Sequence, residues 1–307
     1  MFDFKCADFV PYKNKEILDK VRKMSGDMLT KHSNPDFKIN IVTSPGLVWV
    51  ADMVARIMRS DLLNEKCVMI LPNPCPVIYE AVAAEINLLR INCRNLVIYT
   101  MDEWADQDGN IAPVEYEAGF SHSQLKYFYG KIDPELRMPL EQIHYPTTKN
   151  IKDYSKMLEA DGNADICYSG PGWAGHIAFI DPLTPEFSSD LDEFLNQGAR
   201  VVTLNPMTIM QNSLHGVFGQ SGDIANVPPR AATIGPLDVK RAKNRMECHD
   251  LTTGGGFSSW QRMVSRLILH GEVTPLVPSS ILQTMKTDVY ISEAIAAPIE
   301  CMEKVGY

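Results

Sequence analysis

The segment Ala164-Asp-Ile-Cys-Tyr168, running on into Ser169-Gly-Pro-Gly-Trp-Ala-Gly-His-Ile-Ala-Phe-Ile-Asp-Pro182, is where the fold can be read. Its first five residues are an apolar run of strand length. Gly170, Gly172 and Gly175 then let the backbone turn sharply and approach a ligand closely. His176 leaves that turn and Asp181 follows it. A strand, a glycine turn and a His–carboxylate pair suit an α/β enzyme that holds a general base beyond the carboxyl end of its sheet. A tight loop with a hydrogen-bonded histidine would look the same, so the flanking pattern has to decide.

That pattern alternates. Residues 38–43, 67–71, 96–100, 164–168, 200–204, 231–234 and 287–292 read as strands. Ile17, Leu18, Val21, Met24 and Met28 recur at helical spacing, so 13–31 reads as an amphipathic helix. Helices are also expected over 48–63, 77–89, 114–129 and 150–160, and from the glycine-rich run at 254–256 to about His270. Strands alternating with helices predict an α/β fold, Rossmann-like and doubly wound: a mainly parallel sheet with helices on both faces. The polar stretches 104–113 and 182–199 are candidate lids or insertions.

Composition narrows the function. The 307 residues are 45% hydrophobic and 22% charged, which supports a large core. The net charge of −9 and the lack of any basic block argue against a nucleic-acid partner. Seven cysteines at irregular spacing, without CxxC, read as reduced thiols of a cytoplasmic protein. No stretch approaches membrane-span length and no signal peptide is visible, so no membrane partner is expected. The histidines and acids lack metal-ligand spacing, and no metal or other cofactor is expected. The other six histidines, His215 among them, read as surface or structural.

Four strand ends carry candidate chemistry: 72–76, Asp102-Glu103, 170–181 and 252–259. Adjacent carboxylates at a strand end are hard to place in a core, though an N-cap would also explain them. His176 with Asp181 fits a general base whose tautomer is fixed by the acid.

These motifs resemble the glucosamine-6-phosphate deaminase/isomerase family, which also includes 6-phosphogluconolactonases. Met101-Asp-Glu-Trp104 is similar to the family's Met-Asp-Glu-Tyr, and Gly175-His-Ile-Ala-Phe179 is identical to a family block. Asn212-Ser213 and Pro278-Ser-Ser-Ile-Leu-Gln283 resemble further blocks in the expected order. The likeness runs from about residue 38 to the end, which implies an N-terminal helical extension over 1–37 and a single α/β domain over 38–307. It implies opening of an amino-sugar or sugar-phosphate ring and aldose–ketose proton transfer. Asp102 would move the proton, His176 would open the ring, and Asp181 would orient His176. Glu103, Trp104, Asn73, Gly172, Trp173, Gly175, Gly254, Gly255 and Ser258 are the expected substrate contacts. A non-catalytic sugar-metabolite binder and a lactonase-like hydrolase are the alternatives. A homo-oligomer is compatible with the resemblance.

The chain departs from the family where phosphate would bind. The glycine loop of the family is Pro72-Asn-Pro-Cys-Pro76 here, and each proline removes a backbone donor. Leu214 stands where the deaminases have arginine, and the late lysine is missing from 253–257. Ala174 replaces an acid before the histidine, and Asp181 replaces glutamate. Each lost charge-assisted bond is worth about 1.5–3 kcal/mol. Arg262 and Arg266, or the glycine-rich run at 252–260, could restore an anion site. Otherwise Trp104 and Trp173 mark a site rebuilt for an uncharged sugar.

Overall fold

The computed structural model describes residues 2, 4–72, 75–251 and 259–301. The strands are β1 (Phe37–Val42), β2 (Cys67–Leu71), β3 (Leu96–Thr100), β4 (Asp102–Ala105), β5 (Ile143–His144), β6 (Ile166–Ser169), β7 (Arg200–Thr203), β8 (Arg230–Thr233), β9 (Arg245–His249) and β10 (Thr287–Ser292). The helices are α1 (Lys15–Arg22), α2 (Pro45–Leu63), α3 (Pro76–Leu89), α4 (Phe120–Tyr127), α5 (Tyr154–Ala160), α6 (Leu191–Phe194), α7 (Pro206–Asn212), α8 (Pro236–Arg241), α9 (Gln261–His270) and α10 (Glu293–Ala296).

Seven strands form one sheet in the order β1-β10-β9-β6-β2-β3-β5, and every pairing in it is parallel. Such a sheet needs cover on both faces, and β2 shows it. Cys67, Met69 and Leu71 join Trp49, Met53, Tyr79, Val82 and Ile86 of α2 and α3. Val68 and Ile70 face the opposite cluster, which holds Tyr154, Leu158 and Leu269. The strand is buried throughout, so it reads as a continuous apolar run rather than an alternation.

Runs 200–204 and 231–234 are β7 and β8, which lie outside the parallel sheet. With β4 they build a separate antiparallel sheet, ordered β4-β8-β7. Asp102 therefore opens β4, a strand of this second sheet. The expected helix over 114–129 is only Phe120–Tyr127, and that over 13–31 ends at Arg22. Three of the seven cysteines, Cys67, Cys93 and Cys167, are buried, and all seven are free thiols. Tyr12, Ile17 and Leu18 pack on Val264, Leu267 and Ile268 of α9. Tyr12 also donates its hydroxyl hydrogen to Glu272 at 2.6 Å. No helix among the described residues is long and apolar enough to cross a membrane.

Candidate active site

The order of the parallel sheet locates its site. From β2 the chain adds β3 and β5 on one side; β6, β9 and β10 then follow on the other. Strand order reverses between β2 and β6, and ligands of open α/β sheets bind beyond the carboxyl ends at such a reversal. A cavity of about 800 Å³ opens there. Pro72 after β2, Asp102 after β3, Gly170 to Gly172 after β6 and Asp250 after β9 all line it. So do His176, Asn212, Leu214 and His215.

Asp102 and Glu103 are neighbours with different surroundings, because successive strand residues face opposite ways. Asp102 lines the cavity and is 4% exposed, and its Oδ1 is buried without a hydrogen-bond partner. Burial, with the Glu103 charge added, holds its carboxyl well above the usual carboxylate range. Glu103 is fully buried and accepts from the backbone N–H groups of Trp104, Phe120 and Ser121 and from the Ser121 hydroxyl. It anchors the start of α4, where free N–H groups need an acceptor. Burial still pushes its carboxyl upward, against the pull of those donors. Trp104 packs in the core between Phe120 and Phe179, and its indole N–H donates to the Ala118 carbonyl. Glu103 and Trp104, expected as substrate contacts, thus support the site's architecture and lie outside the cavity lining.

His176 and Asp181 do meet. His176 Nδ1 lies 2.6 Å from Asp181 Oδ1, and His176 is 6% exposed. Asp181 is itself held: Thr208 Oγ1 donates to Oδ1 at 2.7 Å and the Asn205 N–H to Oδ2 at 2.8 Å. Thr208 is also 3.0 Å from His176 Nδ1. Both partners come from the start of α7, where Asn205 caps the helix and Pro206 opens it. The sequence signal for them is Asn205-Pro206 at a helix start. The Pro278-Ser-Ser block also acts here, since Ser279 donates through Oγ to the His176 carbonyl and through N–H to that of Gly175.

Two glycines are required by geometry. Gly175 has φ +79°, a left-handed conformation natural to glycine. At Gly172 the imidazole fills the place of a side chain, since an added Cβ would lie 1.7 Å from His176 Nε2. Gly172→Ala is expected to displace that ring and reduce turnover about 100-fold, the scale of a misplacement near 1 Å. Steady-state rates, beside a circular-dichroism check of folding, measure it, and an unchanged rate would contradict the placement.

His215, read as surface or structural, lines the cavity. Burial, with His176 nearby, pushes its pKa down to about 4, so it is neutral at pH 7. Trp173 stacks on Trp260 at 6.1 Å and lies outside the cavity lining. Arg262 and Arg266 lie outside the cavity lining. Arg266 donates to the carbonyls of Met24, Arg262, Ile295 and Ala297, and Arg262 to those of Ala297 and Pro298. Asn73, Gly254, Gly255 and Ser258 lie outside the described residues.

No family model matches the chain. A glucosamine-6-phosphate deaminase 2 of Giardia intestinalis is 26% identical over 260 residues, covering 81% of this chain and 86% of that protein. A glucosamine-6-phosphate deaminase of Lactobacillus helveticus is 26% identical over 213 residues, covering 67% and 75%. Among solved structures, a monomeric glucosamine-6-phosphate deaminase superposes with TM-score 0.66 at 19% identity, covering 84% of this chain and 98% of its own. A 6-phosphogluconolactonase from Trypanosoma cruzi superposes with TM-score 0.59 at 15% identity, covering 89% and 99%. The chain is thus similar in sequence to glucosamine-6-phosphate deaminases and shares its fold with both kinds of enzyme.

Proposed function

We propose that this chain is a deaminase/isomerase-like enzyme that opens the ring of an amino sugar or related sugar and moves a proton between C1 and C2. His176 takes the proton of the anomeric hydroxyl and returns one to the ring oxygen, which breaks the C1–O5 bond. Asp181 and Thr208 hold its Nδ1 side, so the working nitrogen is Nε2. Asp102 takes the C2 proton of the open aldose and delivers one to C1. With an amino sugar the product is a 2-imine, which water hydrolyses to the ketose and ammonia. Asp102 suits this role because burial raises the basicity of its carboxylate. Residues 1–37 serve as an extension that covers α9 of the single domain formed by 38–307.

The reading is carried by one observation. Asp102, at the start of β4, and His176, in the glycine loop after β6, line the same cavity. His176→Gln is expected to slow turnover of a cyclic sugar about 10²- to 10⁴-fold. Coupled assays of ketose and ammonia release test this, and equal rates would count against it.

A further inference from the structure

We infer that His215 is a second catalytic histidine, which donates a hydrogen bond to O1 of the open-chain sugar as Asp102 takes the C2 proton. This rests on the deaminase/isomerase reading of the site and assigns it one more group. His215 lines the cavity together with Asp102 and His176. Its backbone is pinned on both sides. The N–H donates to the Asn212 carbonyl at 2.9 Å, and the carbonyl accepts from the N–H groups of Phe218 at 3.0 Å and Gln220 at 3.1 Å. Helix α7 links the two histidines. Its start holds Asp181, the partner of His176, and its last residue, Asn212, holds His215.

The surroundings of the ring decide its chemistry. Its Nδ1 is buried and has no hydrogen-bond partner among the described residues. A hydrogen placed there would be a donor without an acceptor, and buried N–H groups in that state are rare and costly. The hydrogen therefore sits on Nε2, which leaves a donor to meet a ligand in the cavity. Burial, with His176 nearby, also keeps the imidazole uncharged at pH 7. A neutral imidazole opposite a carboxylate base suits aldose–ketose proton transfer, because it polarises the carbonyl while the base removes the proton. When the C2–H bond breaks, its proton goes to Asp102 and its electron pair forms the C1=C2 bond. The C1=O pair moves onto O1, where the Nε2–H of His215 stabilises the charge. Asp102 then returns a proton to C1. The amine nitrogen supplies the pair for the C2=N bond and gives one proton to O1.

Turnover of glucosamine and of glucosamine 6-phosphate by the full chain, with C2 hydrogen exchange in D2O, tests the inference. Rates are taken per folded protein, read by circular dichroism. His215→Leu is expected to lower kcat about 100-fold with KM nearly unchanged, since the bond strengthens only as charge develops on O1. His215→Gln keeps an uncharged N–H donor and should recover about tenfold of that loss. Exchange at C2 should follow the same order. A leucine variant with wild-type kcat, or a glutamine variant no faster than leucine, would overturn the role of His215 and leave the deaminase/isomerase reading standing. Wild-type protein that neither turns over nor exchanges either sugar would sink both.

Discussion

Glu103→Ala is expected to lower the unfolding free energy by about 3–5 kcal/mol, enough to threaten folding of a marginally stable domain. The carboxylate accepts three backbone N–H groups and the Ser121 hydroxyl in a fully buried place. Alanine strands four donors, each costing roughly 1–3 kcal/mol if left dry, less what a penetrating water recovers. The start of α4 would loosen, and with it the Trp104–Phe120–Phe179 aromatic cluster. Glu103→Gln keeps one acceptor oxygen and should lose less. Urea unfolding measures both, and a loss below about 1 kcal/mol for alanine would refute the anchoring role.

The adjacent residue should behave in the opposite way. Asp102→Asn is expected to cut turnover by about 10²- to 10⁴-fold without destabilising the fold. Asp102 makes no hydrogen bond through Oδ1, and burial disfavours its charge. Its folded pKa lies above the unfolded one, so between the two the folded chain holds the extra proton. Stability contributed by this group is full below the unfolded pKa and falls as pH rises through that window. Asparagine does not titrate. The difference in Tm, variant minus wild type, should therefore be larger at pH 8 than at pH 4. The same shift makes wild-type kcat/KM rise with pH as Asp102 loses its proton. A variant less stable than wild type at pH 8, or one of full activity, would contradict this reading of Asp102.

The contrast between these two residues explains what the sequence could and could not convey. Met101-Asp-Glu-Trp104 announced two carboxylates at a strand end, and the resemblance gave them one site. Their division between cavity and helix anchor follows from strand alternation, which requires knowing that β4 is a strand. Its four residues pair with β8, far along the chain, and no local pattern reveals that partner. The 164–182 segment was legible because its signals are local: an apolar strand, a glycine turn and a histidine. Thr208 and Asn205, which hold Asp181, were not, because their role arises from a contact between α7 and a loop more than twenty residues earlier. Arg262 and Arg266 misled for a related reason. Their four-residue spacing fits a cationic helix face, yet both guanidinium groups serve backbone carbonyls of the C-terminal segment.

The most direct test of proton transfer by Asp102 is deuterium exchange at C2. Glucosamine and glucosamine 6-phosphate would each be incubated with the protein in D2O and followed by proton NMR. Wild-type protein should exchange the C2 hydrogen of at least one of them during turnover, and Asp102→Asn should slow that exchange at least 100-fold. Absence of enzyme-dependent exchange in both sugars, or equal exchange by the variant, would contradict the account.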